Sequence, residues 1–575
     1  MNFLDKHTKA QSLSILRDIA SLCCDLGGPQ SKAIYRFVEE QNYQGLLDAR
    51  IDYSDTASVP DVIYARQIQA LYSKYEPLEL PGVDRAENTI QTFAQAESKC
   101  RETNCTFMYI DRKPNYLDSS THAILHGAAR KISRILGTVP PLDRFKPSFG
   151  PGANTSVNAM RANPRFKLGS VLECSHQLMP TISEHLSNVP AWTALHATSE
   201  SDDSWIVPVR RSYGKLQLVP KNAKMMRTIV IEPLLNGFLQ KGVGSYIRNR
   251  LLRVASIDLR DQSRNQSLAA VGSLDDSLAT IDLSSASDTI ATELVRHLLP
   301  PDWFDLLDSL RTRDVKIPDE YAHNLWSHLT WDPVPPYPFS DDSSIYRMEK
   351  FSGMGCAFTF ELESLIFYAL AHSVVRSLHL STRDVSVYGD DIIIPAAAYS
   401  KLEAVLTVCG FSVNSDKSFR SGNFRESCGA DFFSGHNVRP FYQKDLVSGQ
   451  TLFTMHNFFI RNGEYELAAR VRSICDPSYI IYGPDGFGDG HLIGSHELRR
   501  NRKMKRDGWE GGYFDTYVLR QARDFRVSPG DAVLPVYSVY TRSGECSPTD
   551  PDVVRGSRGY AKVSVYTLGY SIFSR

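Results

Sequence analysis

The stretch Val385–Pro395, VSVYGDDIIIP, sets two adjacent carboxylates, Asp390 and Asp391, between two β-branched runs. Val385 and Val387 alternate with Ser386 and Tyr388, Gly389 and Asp390 supply a Gly-X turn of the II′ kind, and Ile392–Ile394 read as a buried return strand that Pro395 ends. The stretch is a hairpin with acid side chains at its apex. Adjacent aspartates repel each other, and lifting them out of bulk water costs more unless a cation offsets the charge. Hard oxygen donors suit Mg²⁺ or Mn²⁺, which keep waters and share their remaining positions with substrate phosphates. The same residues also suit a solvated turn that only reverses the chain, because turns favour Gly and Asp. The surrounding sequence decides between the two.

A chain of 575 residues is too long for one core, and about 150 residues per domain implies roughly three or four lobes. Hydrophobic content of 42% and charge of 22% describe a folded globular protein. The formal net charge is −1, so binding to a polyanion requires segregated basic residues. Ten cysteines with no Cys-x-x-Cys spacing speak against a zinc ribbon or a disulfide framework and fit a reducing cytoplasm. Residues 1–30 carry Asp5, Lys6, Lys9 and Arg17 in a helical pattern, so no signal peptide is expected. No apolar run approaches the ~20 residues that span a bilayer.

The segregated charge lies between Ser204 and Ile231, which hold no acid but contain Arg210, Arg211, Lys215, Lys221, Lys224 and Arg227. Such a ribbon can meet a triphosphate or form a solvated basic face. Leu278–Leu283 is a second strand, and Asp282 near its end is unusual unless paired, hydrogen-bonded or on a metal. Ser287 or Asp288 then suits the cap of a helix that Pro300 and Pro301 stop. Residues 331–342, rich in proline, read as an exposed excursion. Ser352, Gly353, Met354 and Gly355 lead into a long apolar helix from Ala357 to Leu378, where backbone and hydroxyls can approach a sugar or a template strand, or simply pack. Further on, Lys417 suits a phosphate contact, a proton donor or a surface lysine. The loop Phe149–Thr155 lacks the ending of a nucleotide P-loop. Gly483–Gly490 lacks the terminal Glu of an EF-hand. Arg499, Arg500, Arg502, Lys503, Lys505 and Arg506 form a second basic cluster.

Three strand-end carboxylates from distant parts of the chain suit a two-metal phosphoryl-transfer centre. The order of basic ribbon, Asp282 strand, Ser-Gly helix, Gly-Asp-Asp hairpin and Lys417 resembles right-hand RNA-dependent RNA polymerases, and within them the replicase catalytic subunits of single-stranded RNA bacteriophages, the levivirus group. The residues that carry it are Val219–Asn222 with Arg227 and Ile231–Pro233, Asp282–Ser284 with Ala286–Asp288, Met354 and Gly355 with Thr359–Ser364, Val387–Ile393, Phe424–Gly429, and Pro484–Gly486 with Gly488–Gly490.

The resemblance implies an α+β fold of fingers, palm and thumb, with an antiparallel palm sheet of the RNA-recognition-motif type. It places the N-terminal region and fingers in 1–274, including the ribbon 205–233. The palm falls in 275–300 and 351–440, a fingers insertion in 301–350, and the thumb and C-terminal region in 441–575. It implies two Mg²⁺ ions, replaceable by Mn²⁺, on Asp282 and Asp390 with Asp391 assisting. On the same resemblance Lys221, Lys224 and Arg227 would clamp the triphosphate, Lys417 would protonate pyrophosphate, Asp288 and Ser352 would inspect the ribose 2′-hydroxyl, and Gly353 would join the nucleotide-binding residues. Glu363 stands where many viral polymerases carry Asn. The implied partners are RNA template and product, nucleoside triphosphates, host elongation factors Tu and Ts and a host RNA-binding ribosomal protein, in the cytoplasm of an infected bacterium and without a membrane. Initiation is expected to need no primer. A reverse transcriptase, a non-catalytic RNA-binding protein and a metal-dependent phosphohydrolase are the alternatives.

Overall fold

In the computed structural model, described for all residues except 1, 2, 4, 55, 114, 115, 202, 203, 334, 337–341, 509, 524, 525, 541–552 and 569–575, the chain is helical as far as Leu168, and strands interleave with helices from Glu173 onward. The central sheet has three antiparallel strands, Ser386–Tyr388, Asp391–Pro395 and Leu278–Ile281, with Asp391–Pro395 in the middle. Both faces of this sheet are covered. Ile392 and Ile394 enter the main core with the helix Thr359–Ser377, whereas Ile393 packs with Leu278 and with Ala269 of the helix Ser263–Asp275. This double burial explains the unbroken isoleucine run. It also buries Ser386, where alternation suggests a solvent-facing residue, and its hydroxyl bonds Asn265 Oδ1 at 2.6 Å.

The basic ribbon is a hairpin, Gly214–Pro220 paired with Met226–Ile231, in a four-stranded sheet completed by Asp314–Lys316 and Ile345–Arg347. Leu216, Val230, Val315 and Tyr346 close its core against Ile90, Phe93 and Ala94 of the helix Arg85–Arg112. The Ser-Gly loop lies on this ribbon: Met354 carbonyl accepts from Val230 N–H at 2.6 Å. Gly355 has φ +117°, and a Cβ there would lie 2.1 Å from the Val230 carbonyl oxygen. Close backbone packing, rather than ligand approach, accounts for these glycines.

The first helices and the region after 441 share one core. Leu16, Ile68 and Leu71 are buried with Leu452, Phe453 and Val471, and Phe3 stacks on Tyr517 at 4.3 Å. Strands Gly512–Arg523 and Val553–Thr567 form a long two-stranded ribbon. Part of the 331–342 excursion, residues 334 and 337–341, lies outside the described residues. Among those described, no helix is long and apolar enough to cross a membrane.

The helix expected after Asp288 begins only at Thr292, capped by the backbone of Ala291 without a side-chain bond. Neither Ser287 nor Asp288 caps it, because a 3₁₀ turn, Ala286–Asp288, intervenes and the Asp288 carboxylate is taken by Lys350. The Gly483–Gly490 loop is held by protein groups. Arg461 pairs with Asp485 at 2.8 Å and Asp489 at 2.9 Å, and His491 Nε2 lies 2.8 Å from the Pro484 carbonyl.

Candidate active site

Tyr388 pairs with Asp391, leaving Gly389 and Asp390 as a two-residue turn. Gly389 takes φ +62° while Asp390 stays at negative φ, as a turn led by glycine requires. The helix Thr359–Ser377 holds this turn from below. Ser364 Oγ accepts from Gly389 N–H at 2.9 Å, and a Cβ at Gly389 would lie 2.7 Å from the Phe360 ring. The apex that carries Asp390 is rigid because its neighbours leave no other geometry.

Asp282 reaches the same apex through sheet register. Ile281 lies opposite Ile392, which sets the following Asp282 beside the start of the Asp391–Pro395 strand. A loop clamps it there: Asn414 N–H donates to the Asp282 carbonyl at 2.9 Å, the Asn414 side-chain amide donates to Asp282 Oδ2 at 3.0 Å, and Asp282 N–H donates to Ser418 Oγ at 3.1 Å. Lys417 sits between the two clamping residues. Burial opposes its charge, but Asp282, Glu426 and Asp390 outweigh it and raise the ammonium above the ordinary lysine range.

Burial, then the charge of Asp282, pushes the Asp390 carboxyl above its usual range, with Lys417 and Arg227 opposing. Asp391 is pushed up to about 7, mainly by burial and then by Asp390 and Asp282, although the Cys428 N–H bonds it. Its Oδ1 faces Ser427 Oγ at 3.4 Å, so Asp391 turns toward the hairpin Phe424–Ser427 and Ala430–Phe433. Beneath the turn, burial and the charges of Asp390, Glu361 and Asp288 raise Glu363 well above the carboxylate range.

The cations divide. Lys221 is solvent-accessible but set in a cleft: burial and then Arg227 and Lys417 lower its ammonium, while Asp288 and Asp282 oppose. Lys221, Arg227 and Lys417 thus share one field with the carboxylates. Lys224 does not join them, since its Nζ pairs with Asp48 of the N-terminal region. Ser352, expected at the ribose, and Gly353, expected to bind nucleotide, are turned inward. Ser352 is 1% exposed with its hydroxyl 2.7 Å from Thr359 Oγ1, and a Cβ on Gly353 would meet Val230 Cγ2 at 2.3 Å. Asp288 borders the cleft, paired with the buried Lys350 at 2.7 Å.

Several contributors carry no motif signal. Asn414 and Ser418 flank Lys417 without any spacing that marks them as clamps. Lys350 lies two residues before Ser352 and belongs to none of the motifs. Glu426 belongs to a buried network in which Asp431 pairs with Arg66 and, at 2.8 Å, with Arg439.

Among the described residues, no three of His, Cys, Asp and Glu converge closely enough to hold an ion by themselves. Asp282 and Asp390 nevertheless offer hard oxygens whose mutual repulsion a divalent cation would relieve. Two carboxylates fit an ion whose coordination is completed by waters and substrate phosphate. The arrangement suits chemistry on a polyanionic substrate.

Residues 52–327 and 337–478 match the family model described as RNA replicase, beta-chain. The chain is 35% identical over 472 residues to the RNA-directed RNA polymerase subunit beta of Escherichia virus Qbeta, covering 78% of this chain and 72% of that one. It is 37% identical over 494 residues to the corresponding subunit of Enterobacteria phage SP, covering 80% and 78%. Among solved structures, an RNA-dependent RNA polymerase of a human picobirnavirus aligns at 14% identity over 72% of this chain and 89% of its own, with a TM-score of 0.32, too slight to bear on the fold.

Proposed function

The chain belongs to the RNA replicase beta-chain family, and on that premise we propose that its carboxylate cleft is the nucleotidyl-transfer centre of an RNA-directed RNA polymerase that copies a positive-strand RNA phage genome. The observation that carries this reading is the convergence of Asp282 and Asp390 on one apex, faced by Lys221, Arg227 and Lys417.

Asp282 and Asp390, with Asp391 assisting, would hold two Mg²⁺ ions, or Mn²⁺, whose chemistry activates the RNA 3′-hydroxyl and neutralises departing pyrophosphate. Lys221 and Arg227 bind the incoming triphosphate; their mutual repulsion with Lys417 is relieved when the anion arrives. Lys224 contributes from the rim, where it is anchored to Asp48. Lys417, kept protonated by the carboxylates around it, delivers its proton to pyrophosphate. Asp288 accepts a hydrogen bond from the ribose 2′-hydroxyl.

In this reading residues 275–300 and 351–440 form the palm, 1–274 the N-terminal region and fingers, 301–350 a fingers insertion and 441–575 the thumb and C-terminal region. The core shared by the first helices and Gly449–Arg461 supports a thumb braced by the N-terminus. Primer-independent initiation, work in the infected bacterium, and partnership with elongation factors Tu and Ts and an RNA-binding ribosomal protein belong to the same reading. The name of the relatives as a beta subunit supports an assembly.

The test is purification from infected cells with accompanying proteins, then RNA-templated synthesis without a primer. Ribonucleotide incorporation is expected. Preferential use of deoxyribonucleotides would instead indicate a reverse transcriptase, and RNA binding without synthesis a non-catalytic protein.

A further inference from the structure

One lysine in this molecule is buried at a place where burial needs a reason. Lys350 is 1% exposed, its Nζ 2.7 Å from Asp288 Oδ1, 3.5 Å from Glu97 Oε1 and 4.1 Å from the centre of the Phe93 ring. Glu97, itself fully buried in the helix Arg85–Arg112, spends its other oxygen on Glu349 N–H at 2.6 Å and Tyr346 hydroxyl at 3.1 Å. Its Oε1 has no hydrogen-bond partner. The ammonium therefore gives its hydrogen bond to Asp288 and only its charge to Glu97. The backbone fixes this choice, because Lys350 bridges Ala291 and the Phe351 N–H donates to Ile290 at 2.7 Å, locking the lysine's strand beside the segment that follows Asp288.

The acids of the cleft then differ in kind. Asp282 and Asp390 repel each other and face solvent-accessible cations, a repulsion that a metal ion would relieve. The Asp288 side chain is 14% exposed, and its charge is already matched by a buried ammonium. A neutralised, immobile carboxylate is a poor ligand for a divalent ion and a good acceptor for a neutral hydroxyl. A nucleoside triphosphate offers such hydroxyls on its ribose.

We propose that Lys350, braced by Glu97, is a positioning residue that removes Asp288 from the metal-binding set and fixes it as the acceptor that discriminates ribose from deoxyribose. The proposal rests on the polymerase reading given above. It extends that reading to a buried residue pair, Lys350 and Glu97, and links ribose selection to the helix Arg85–Arg112.

The test uses the full chain with its accompanying subunits and reads the ratio of kcat/KM for ribonucleotide over 2′-deoxyribonucleotide incorporation. Lys350→Met combined with Glu97→Gln removes one cation and one anion, and the glutamine oxygen can still accept from Glu349 and Tyr346. This variant is expected to lower the ratio about tenfold, Asp288→Asn to lower it similarly, and the combination of all three substitutions to lower it no further. Lys350→Arg, which keeps the charge but moves the donors, serves if the first variant does not fold, with an expected fall of at least about threefold. An unchanged ratio in the folded Lys350 variant beside a lowered one in Asp288→Asn would overturn the positioning role, as would fully additive losses. An unchanged ratio in Asp288→Asn would instead remove the ribose reading itself, and the proposal with it. Absence of synthesis by the unsubstituted protein would defeat the polymerase reading before any ratio is taken.

Discussion

Ile281 and Ile392 face each other across the central sheet, and this single pairing brings Asp282 to a hairpin more than a hundred residues away in sequence. The register is enforced because a one-residue slip would turn Ile392 and Ile394 out of the main core. Placement of the acids is therefore a consequence of apolar packing.

Lys417 is expected to act after the triphosphate is bound. Lys417→Met should lower kcat by roughly 100-fold while changing the nucleotide KM by less than about threefold. Single-turnover incorporation measures the split, and a loss confined to KM would assign the residue to binding alone.

Arg227 and Lys224 belong to one basic ribbon but occupy different surroundings. Arg227→Met should raise the nucleotide KM about tenfold, whereas Lys224→Met should change it less than about threefold, because Lys224 is half-exposed and engaged by Asp48. Equal effects would show that the ribbon acts as an undivided cationic face.

Gly355 meets the ribbon strand at its backbone. Gly355→Ala should cost more than about 2 kcal/mol, since a methyl would fall 2.1 Å from the Val230 carbonyl at a φ of +117°. Chemical denaturation measures this, and a loss below about 0.5 kcal/mol would mean that the loop and ribbon separate at no cost.

Glu232 offers a pH test away from the carboxylate apex. Burial pushes it up to about 7, even though Thr312 and Gln240 donate to its Oε2. An acid whose folded pKa exceeds its unfolded value leaves the folded state holding more protons, so its contribution to stability falls as pH rises from about 4.5 to about 7. Glu232→Gln, whose side-chain oxygen can accept both bonds, should flatten the denaturation profile across that window by about 3 kcal/mol. A variant with the same slope as the parent would show that Glu232 is not its source.

The sequence made the hairpin legible because Gly389, the paired aspartates and the isoleucine run each point to the same local geometry. Asp282 was readable as a charge in an apolar strand. The Ser-Gly loop was not, because glycine serves close backbone packing and ligand approach equally, and only Val230 distinguishes them. Of the two readings open for Asp288, the cap fails because its partner, Lys350, arrives from more than sixty residues later through an isolated bridge. The division of Lys224 from Lys221 depends on Asp48, which no local pattern connects to the ribbon.

The most direct measurement is Mg²⁺-dependent nucleotide incorporation by Asp390→Asn beside the parent chain, with thermal melting of both. The account requires synthesis to fall at least about 1,000-fold while the melting temperature stays the same or rises, since a half-buried, repelled charge is removed. Substantial Mg²⁺-dependent synthesis by the folded variant would contradict it.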